Sequence, residues 1–180
     1  IITFLDELTL EAKATKSVNT IYLENNRVIG HNTDIGGFET SIYKSNINLE
    51  NKKILILGAG GVVPSIIYAL TKMKVSEITL SNRTQEKAEN LKKHFKNIKI
   101  IKWGEIINFD MIINATTLGL KEKDKINLNF PSSCKNKLFY DVIYNPKETI
   151  FLKKGKNLGN NIINGKLMFI YQALSAFNIW

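Results

Sequence analysis

Apolar and polar positions change their period partway along this chain of 180 residues. In the first quarter the pattern is mixed. Phe4, Leu5, Leu8 and Ala12 recur at helical spacing, which predicts a helix over residues 4–14. Val18 to Glu24 and Arg27 to His31 read as two strands, and the turn-forming pair Asn25-Asn26 between them predicts a hairpin. Ile35 to Lys44 follows as a connecting helix. From Lys53 onward the character is different. Ile54-Leu55-Ile56-Leu57 is continuously apolar, as expected of a strand buried on both faces. A glycine turn and a helix over about 61–73 come next, then strands at Glu77 to Ser81, Ile98 to Lys102, Met111 to Asn114 and Lys137 to Ile143, with a helix at Gln85 to Phe95. Ile162-Ile163 adds a sixth strand, and Lys166 to Phe177 closes the chain as an apolar helix. Leu118 to Asn136 is polar, holds Pro131 and shows no period, so it reads as loop. Strands alternating with helices imply βαβ units with right-handed crossovers. The fold class expected is α/β, with a doubly wound, mostly parallel sheet.

Composition narrows this picture without redirecting it. The apolar fraction of 44% and charged fraction of 23% are those of an ordinary globular chain. No apolar run approaches the roughly 20 residues that span a bilayer. The start, Ile1-Ile2-Thr3-Phe4-Leu5-Asp6, lacks a basic leading region and reads as a chain entered partway through rather than a signal peptide. A single Cys134 excludes an internal disulfide and a thiolate metal cluster, which points to a reducing, cytoplasmic compartment. The net charge of +9 raises the question of nucleic acid. Lys outnumbers Arg 23 to 2, however, and Lys, Ile and Asn, which share A/T-rich codons, are all abundant. The charge is scattered rather than gathered in an arginine and aromatic stripe, so neither nucleic acid nor a membrane is expected as partner.

The chemistry starts at Leu57-Gly58-Ala59-Gly60-Gly61-Val62-Val63, a glycine turn between a buried strand and a helix. In that frame Gly58 permits the tight turn, Gly60 lets the backbone approach a pyrophosphate, and the helix N-terminus supplies free N–H groups. The third glycine of the usual Rossmann-like fingerprint is replaced by Val63. The end of the next strand distinguishes the cofactor. A carboxylate there would accept hydrogen bonds from a ribose 2′-OH, but this chain has Ser81-Asn82-Arg83-Thr84 with Lys87 one turn on. A guanidinium holds a 2′-phosphate that a carboxylate would repel, so NADP is the cofactor expected. His31 and His94 look like surface residues without a catalytic role.

Seven segments in order then resemble shikimate dehydrogenases: Ser17-Val18-Asn19-Thr20, Asn32-Thr33-Asp34-Ile35-Gly36, Gly58-Ala59-Gly60-Gly61, Asn82-Arg83-Thr84, Ile113 to Gly119, Asp141 to Pro146, and Gly165-Lys166-Leu167-Met168 with Gln172-Ala173. The resemblance covers essentially the whole chain. It implies that Asn19 and Asp34 hydrogen-bond the hydroxyls of shikimate, with Asp34 also one half of a catalytic acid–base pair, and that Tyr144 and Gln172 complete the substrate pocket. It further implies that Gly58, Ala59, Gly60, Gly61 and Val62 hold the pyrophosphate. Asn82, Arg83, Thr84, Gln85, Glu86 and Lys87 would hold the adenosine 2′-phosphate, and Val142 and Gly165 would lie near the nicotinamide. The lysine that serves the family as partner base would fall just upstream of Ile1.

By this resemblance, residues 1–33 are the remnant of a truncated α/β substrate-binding domain. Residues 34–164 are the Rossmann-like NADP-binding domain, and 165–180 a helix returning to the substrate domain. The activity implied is NADP-dependent interconversion of 3-dehydroshikimate and shikimate in aromatic biosynthesis, impaired in these 180 residues. Three other readings stand beside it: a non-catalytic NADP-binding module, a quinate-using relative, and the NADPH domain of a glutamyl-tRNA reductase, which does not account for Asn32-Thr33-Asp34 or for Gly165 to Gln172. Apolar residues such as Phe4, Leu5, Phe169 and Phe177 are expected at the surface, predicting poor solubility or self-association, with a homodimer possible.

Overall fold

The computed structural model describes residues 1–121, 124 and 128–180. The chain divides into two compact units. The smaller comprises Ile1–Asn48, Gly61–Met73 and Leu167–Trp180, and the larger Leu49–Gly60 and Lys74–Lys166.

The larger unit is built on six parallel strands: β4 (Lys53–Leu57), β5 (Glu77–Ser81), β6 (Ile98–Ile101), β7 (Met111–Asn114), β8 (Leu138–Asp141) and β9 (Asn161–Ile163). Their spatial order is β6-β5-β4-β7-β8-β9, so the chain steps outward from β4 in one direction, then returns to β7 and steps outward in the other. That is the Rossmann-like order, and the α/β doubly wound sheet expected from the sequence is the one observed. All four residues of β7 and of β8 are buried, as are the last four of β4, which is why these strands read as unbroken apolar runs. α4 (Gln85–His94) packs on β6, and α5 (Ile150–Asn157) packs on β8 and β9. An aromatic cluster of Phe109, Phe130, Phe139 and Phe151, with ring centroids 5.1–6.5 Å apart, fills the core beside Leu55, Leu57 and Ile112. α5 was not expected. Its Thr149 cap accepts from Leu152 N–H at 3.3 Å, and Phe151, Leu152 and Gly155 form its buried stripe. The run Lys153-Lys154-Gly155-Lys156 disguised it. Gly155 is there because a Cβ would stand 2.5 Å from the Phe139 ring. Part of the segment 118–136 expected as loop, residues 122–123 and 125–127, lies outside the described residues; the remainder contains turns and no regular element.

The smaller unit has a three-stranded sheet in the order β1-β3-β2, from β1 (Glu7–Leu8), β2 (Thr20–Glu24) and β3 (Arg27–His31). The hairpin is as expected, with Asn25 and Asn26 both at positive φ, 49° and 60°, in the manner of a type I′ turn. The helix expected over 4–14 is not formed. A 3₁₀ turn (Ile2–Phe4) leads into β1, parallel to β3, and α1 (Leu10–Thr15) begins only after Thr9. The apolar period was real but served a sheet. Leu5 and Leu8 fill the space over Gly30, where a Cβ would lie 2.5 and 2.8 Å from their methyl groups. α2 (Asp34–Lys44), α3 (Val63–Lys72) and α6 (Lys166–Ile179) complete this unit apart from Lys166. The units cut across the segmentation at 33/34, because α2 packs on α3 and the buried Asn32 donates to Ser65 Oγ at 3.0 Å.

Candidate functional site

The reversal of strand order between β4 and β7 opens a crevice at their carboxyl ends, the place where sheets of this kind take ligands. A cavity of about 420 Å³ lies there, entirely within the larger unit. It is lined by Gly58, Ala59 and Gly60 after β4, Asn82, Arg83, Thr84 and Lys87 at and after the end of β5, Trp103 after β6, and Ala115, Thr116, Thr117 and Leu118 after β7.

Sheet hydrogen bonds hold the glycine turn. Gly58 N–H donates to Ser81 O at 2.8 Å, and Ala115 N–H donates to Leu57 O at 2.9 Å. Gly58 has φ +109°, and a Cβ there would stand 2.7 Å from the Ala115 carbonyl oxygen, so the turn itself demands glycine. Gly60 and Gly61 are different. A Cβ would meet nothing nearer than 3.8 Å at Gly60 and nothing within 4 Å at Gly61. No protein neighbour requires a glycine at either position; bare backbone there suits a ligand that must come close. α3 then begins with no side-chain cap on Val62 and with Pro64 in its first turn, leaving its leading N–H groups for an anion.

At the other side of the cavity Arg83, Thr84 and Lys87 are exposed, and neither cation makes a salt bridge to a carboxylate among the described residues. Asn82 Nδ2 donates to the Thr84 carbonyl at 2.7 Å and shapes the turn that presents them. Unpaired cations facing a concave site fit a phosphorylated ribose. Gln85 and Glu86 are exposed in the first turn of α4 and do not line the cavity. The donor set and the glycine cradle therefore suit a dinucleotide bearing a 2′-phosphate.

The smaller unit gathers a second group. Asn19 Oδ1 accepts from the Thr33 backbone N–H at 2.9 Å, from Thr33 Oγ1 at 3.2 Å and from Thr20 Oγ1 at 3.0 Å. Thr33 Oγ1 also lies 3.4 Å from Gln172 Oε1. Asp34 follows at the start of α2, its N–H bonded to Asn32 Oδ1 at 3.1 Å. Burial pushes the Asp34 carboxyl above its ordinary range, and a hydrogen bond with Asn19 pulls it partly back. Gln172 reaches this group because α6 crosses α2 at Gly37, where a Cβ would lie 2.8 Å from Gln172 Cβ. Asn19, Asp34 and Gln172 are thus brought into one neighbourhood. Tyr144, Val142 and Gly165 belong to the larger unit and do not line its cavity. Tyr144 is 46% exposed, so it is no core aromatic. Gly165 lies so close to Val142 that a Cβ would come within 2.0 Å of its carbonyl oxygen. His31, expected at the surface, is half-buried and bonded to Thr9 Oγ1 at 2.9 Å.

The profile of the shikimate / quinate 5-dehydrogenase family matches residues 41–147. Over all 180 residues the chain is 62% identical to the shikimate dehydrogenase (NADP(+)) of Pelagibacter ubique, of which it covers 68%. The chain belongs to the shikimate dehydrogenase family. Among solved structures it resembles the shikimate dehydrogenase of Aquifex aeolicus, at 37% identity and a TM-score of 0.89 over 100% of this chain and 67% of that one. It also resembles the Thermus thermophilus enzyme in complex with NADP(H) and shikimate, at 29% identity and a TM-score of 0.88, covering 99% of this chain and 67% of that one. The chain spans about two thirds of the length of these curated relatives.

Several pocket residues of this family member carry no local signal of a role. Trp103 and Leu118 line the cavity while packing on the core of the larger unit. Thr116 to Leu118 stand out in sequence only as part of the resemblance. Asp141 is fully buried, with its carboxyl pushed up to about 6 by burial against the pull of hydrogen bonds from Thr149, Ile143 and Asn114. In sequence it stands out only as the first residue of the Asp141 to Pro146 segment of the resemblance.

Proposed function

We propose that this chain carries the NADP-binding part and a share of the substrate site of an enzyme that interconverts 3-dehydroshikimate and shikimate. The observation that carries the cofactor assignment is one cavity lined both by the Gly58–Gly60 backbone and by Arg83 and Lys87, neither of which has a carboxylate partner among the described residues. In this reading Gly58 to Val62 take the pyrophosphate and Asn82 to Lys87 the adenosine 2′-phosphate, with Arg83 as the bidentate partner. Val142 and Gly165 border the nicotinamide, whose chemistry when bound is to exchange hydride with the substrate carbon.

Asn19 and Asp34 hydrogen-bond the substrate hydroxyls, and Tyr144 and Gln172 complete the substrate pocket. Oxidation of a secondary alcohol needs a group to take the hydroxyl proton as hydride leaves. Burial moves the Asp34 carboxyl upward, toward the range in which a carboxylate holds a proton usefully. The segmentation follows the same reading: residues 1–33 and 165–180 serve the substrate side and 34–164 the cofactor side, Asp34 and Tyr144 excepted. In the same reading the 180 residues taken alone bind cofactor but turn over poorly. A reducing, cytoplasmic setting suits the free buried thiol of Cys134.

The test is titration of the purified chain with NADP and with NAD, alongside shikimate- and quinate-dependent reduction of each followed by absorbance. NADP binding at least tenfold tighter than NAD supports the assignment, and equal or absent binding of both defeats it. Turnover at a rate typical of an enzyme would defeat the impaired-activity reading while leaving the family and the cofactor in place.

A further inference from the structure

The ends of β7 and β8 are tied together by a buried pair to which the functional reading gives no task. Asn114, the last residue of β7, donates from Nδ2 to Asp141 Oδ1 and to the Leu118 carbonyl, both at 3.1 Å. Its Oδ1 accepts from Thr116 N–H at 3.2 Å and from Thr116 Oγ1 at 2.7 Å. Thr116 Oγ1 in turn accepts from Leu118 N–H at 3.1 Å. On the far side Asp141, the last residue of β8, accepts from Ile143 N–H at 3.0 Å and from Thr149 Oγ1 at 2.6 Å. Asn114 and Asp141 are both fully buried. The turn after Leu118 closes back on the same group. Gly119 has φ +110°, and a Cβ on it would stand 3.3 Å from Thr149 Cβ.

In the cavity wall formed by Thr116 to Leu118, the Thr116 N–H, the Thr116 hydroxyl and the Leu118 carbonyl therefore all bond to one side chain, Asn114, instead of to a neighbouring strand, while the Leu118 N–H closes locally on Thr116 Oγ1. Asn114 is in turn held by Asp141. Three donors converge on Asp141, and it makes no ion pair among the described residues. A carboxylate accepts on both oxygens, whereas an amide accepts on only one. An aspartate can thus hold Asn114 and Ile143 through Oδ1 and Thr149 through Oδ2 at once. A buried charge has a solvation cost that a purely structural position could avoid with an apolar residue. Its hydrogen bond to Asn114, which in turn bonds Thr116 and Leu118 of the cavity wall, points to precision in the loop.

We propose that Asp141, acting through Asn114, is a positioning residue that sets the Thr116–Leu118 wall for the dinucleotide. The proposal rests on the NADP reading above. Its test is the dissociation constant of NADP for the purified chain and for Asp141→Ala, Thr149→Val and Asp141→Asn, each measured well below its own Tm, with far-UV circular dichroism as a check on folding. Asp141→Ala should weaken NADP roughly tenfold and Thr149→Val roughly threefold, in proportion to the hydrogen bonds removed. Asp141→Asn keeps the Oδ1 acceptor for Asn114 and Ile143 and should recover most of the affinity. If Asp141→Ala and Thr149→Val lower Tm but leave the affinity unchanged, the pair is structural only and the proposal is overturned. If Asp141→Ala does not fold, Thr149→Val decides, since that substitution keeps the side-chain volume. Failure of the unaltered chain to bind NADP is a different result: it removes the functional reading and the proposal with it.

Discussion

The two units of this chain treat their apolar surface in opposite ways. In the larger unit large hydrophobic side chains are exposed at only three described positions, Leu120, Tyr144 and Ile150. In the smaller unit Phe4 is 83% exposed, Phe177 74% and Trp180 75%, and Leu10, Leu23, Phe169, Ile170 and Leu174 join them. A parallel sheet covered by helices closes its own core. A three-stranded sheet with two strands of five residues and one of two has too little surface to cover the apolar faces of the helices beside it. The candidate site follows the same division: the larger unit holds a formed cavity, and the smaller presents Asn19, Asp34 and Gln172 as a cluster.

The sharpest way to break this contrast is at the glycine turn. Gly58→Val puts a branched side chain where φ is +109° and a Cβ already meets Ala115 at 2.7 Å. It should lower the stability of the larger unit by about 3 kcal/mol or more and abolish NADP binding. Gly61→Ala, into open space, should leave Tm within a few degrees. A Tm for Gly58→Val equal to that of the unaltered chain would remove the steric account.

Next in size is the pH dependence carried by Asp141. Its folded-state pKa is raised from 3.8 to about 6, so the folded chain binds that proton more tightly than the unfolded one. The stabilisation it confers is complete below about pH 3.8 and is lost as pH rises through about 6, a swing on the order of 2–3 kcal/mol. Urea midpoints of the unaltered chain and of Asp141→Asn, compared from pH 4 to pH 7, should show the unaltered chain gaining on the variant as pH falls. A constant difference would mean that the carboxyl ionises alike folded and unfolded.

Arg83→Ala should cost NADP about 10- to 100-fold in affinity and NAD little, as expected for loss of a charge-assisted bond to the 2′-phosphate. Equal losses for both cofactors would move Arg83 from recognition of that phosphate to the shape of the turn.

The mildest test falls on the smaller unit. The 180-residue chain should self-associate at micromolar concentration, and replacing Phe177 and Phe4 with lysine should shift light scattering toward monomer without changing NADP affinity. A stable monomer of the unaltered chain would show that the exposed face is tolerated as it stands.

Much of the larger unit was legible beforehand because strands buried on both faces leave unbroken apolar runs, as at Ile54 to Leu57 and Met111 to Ile113. The glycine turn and Arg83 were legible for a related reason. Each lies within a few residues of the end of its own strand, β4 or β5, so the local spacing survives in sequence. β1 was not legible, since two residues cannot display a period and their spacing matched a helix. α5 was hidden by its lysines, although the Thr149 cap and the Phe151, Leu152, Gly155 stripe were there to be read.

By itself, then, the sequence determined the α/β class, the hairpin, the glycine turn and the cation that faces it, all of them set by neighbours close along the chain. Only the tertiary structure decided that Trp103 and Leu118 share a cavity with Arg83, that Asn114 and Asp141 meet, and that Gln172 reaches Thr33 across Gly37. Those pairings join residues 20 to 139 positions apart. They follow from strand order and helix crossing, which arise when the whole chain buries its apolar surface together, and no local stretch records them.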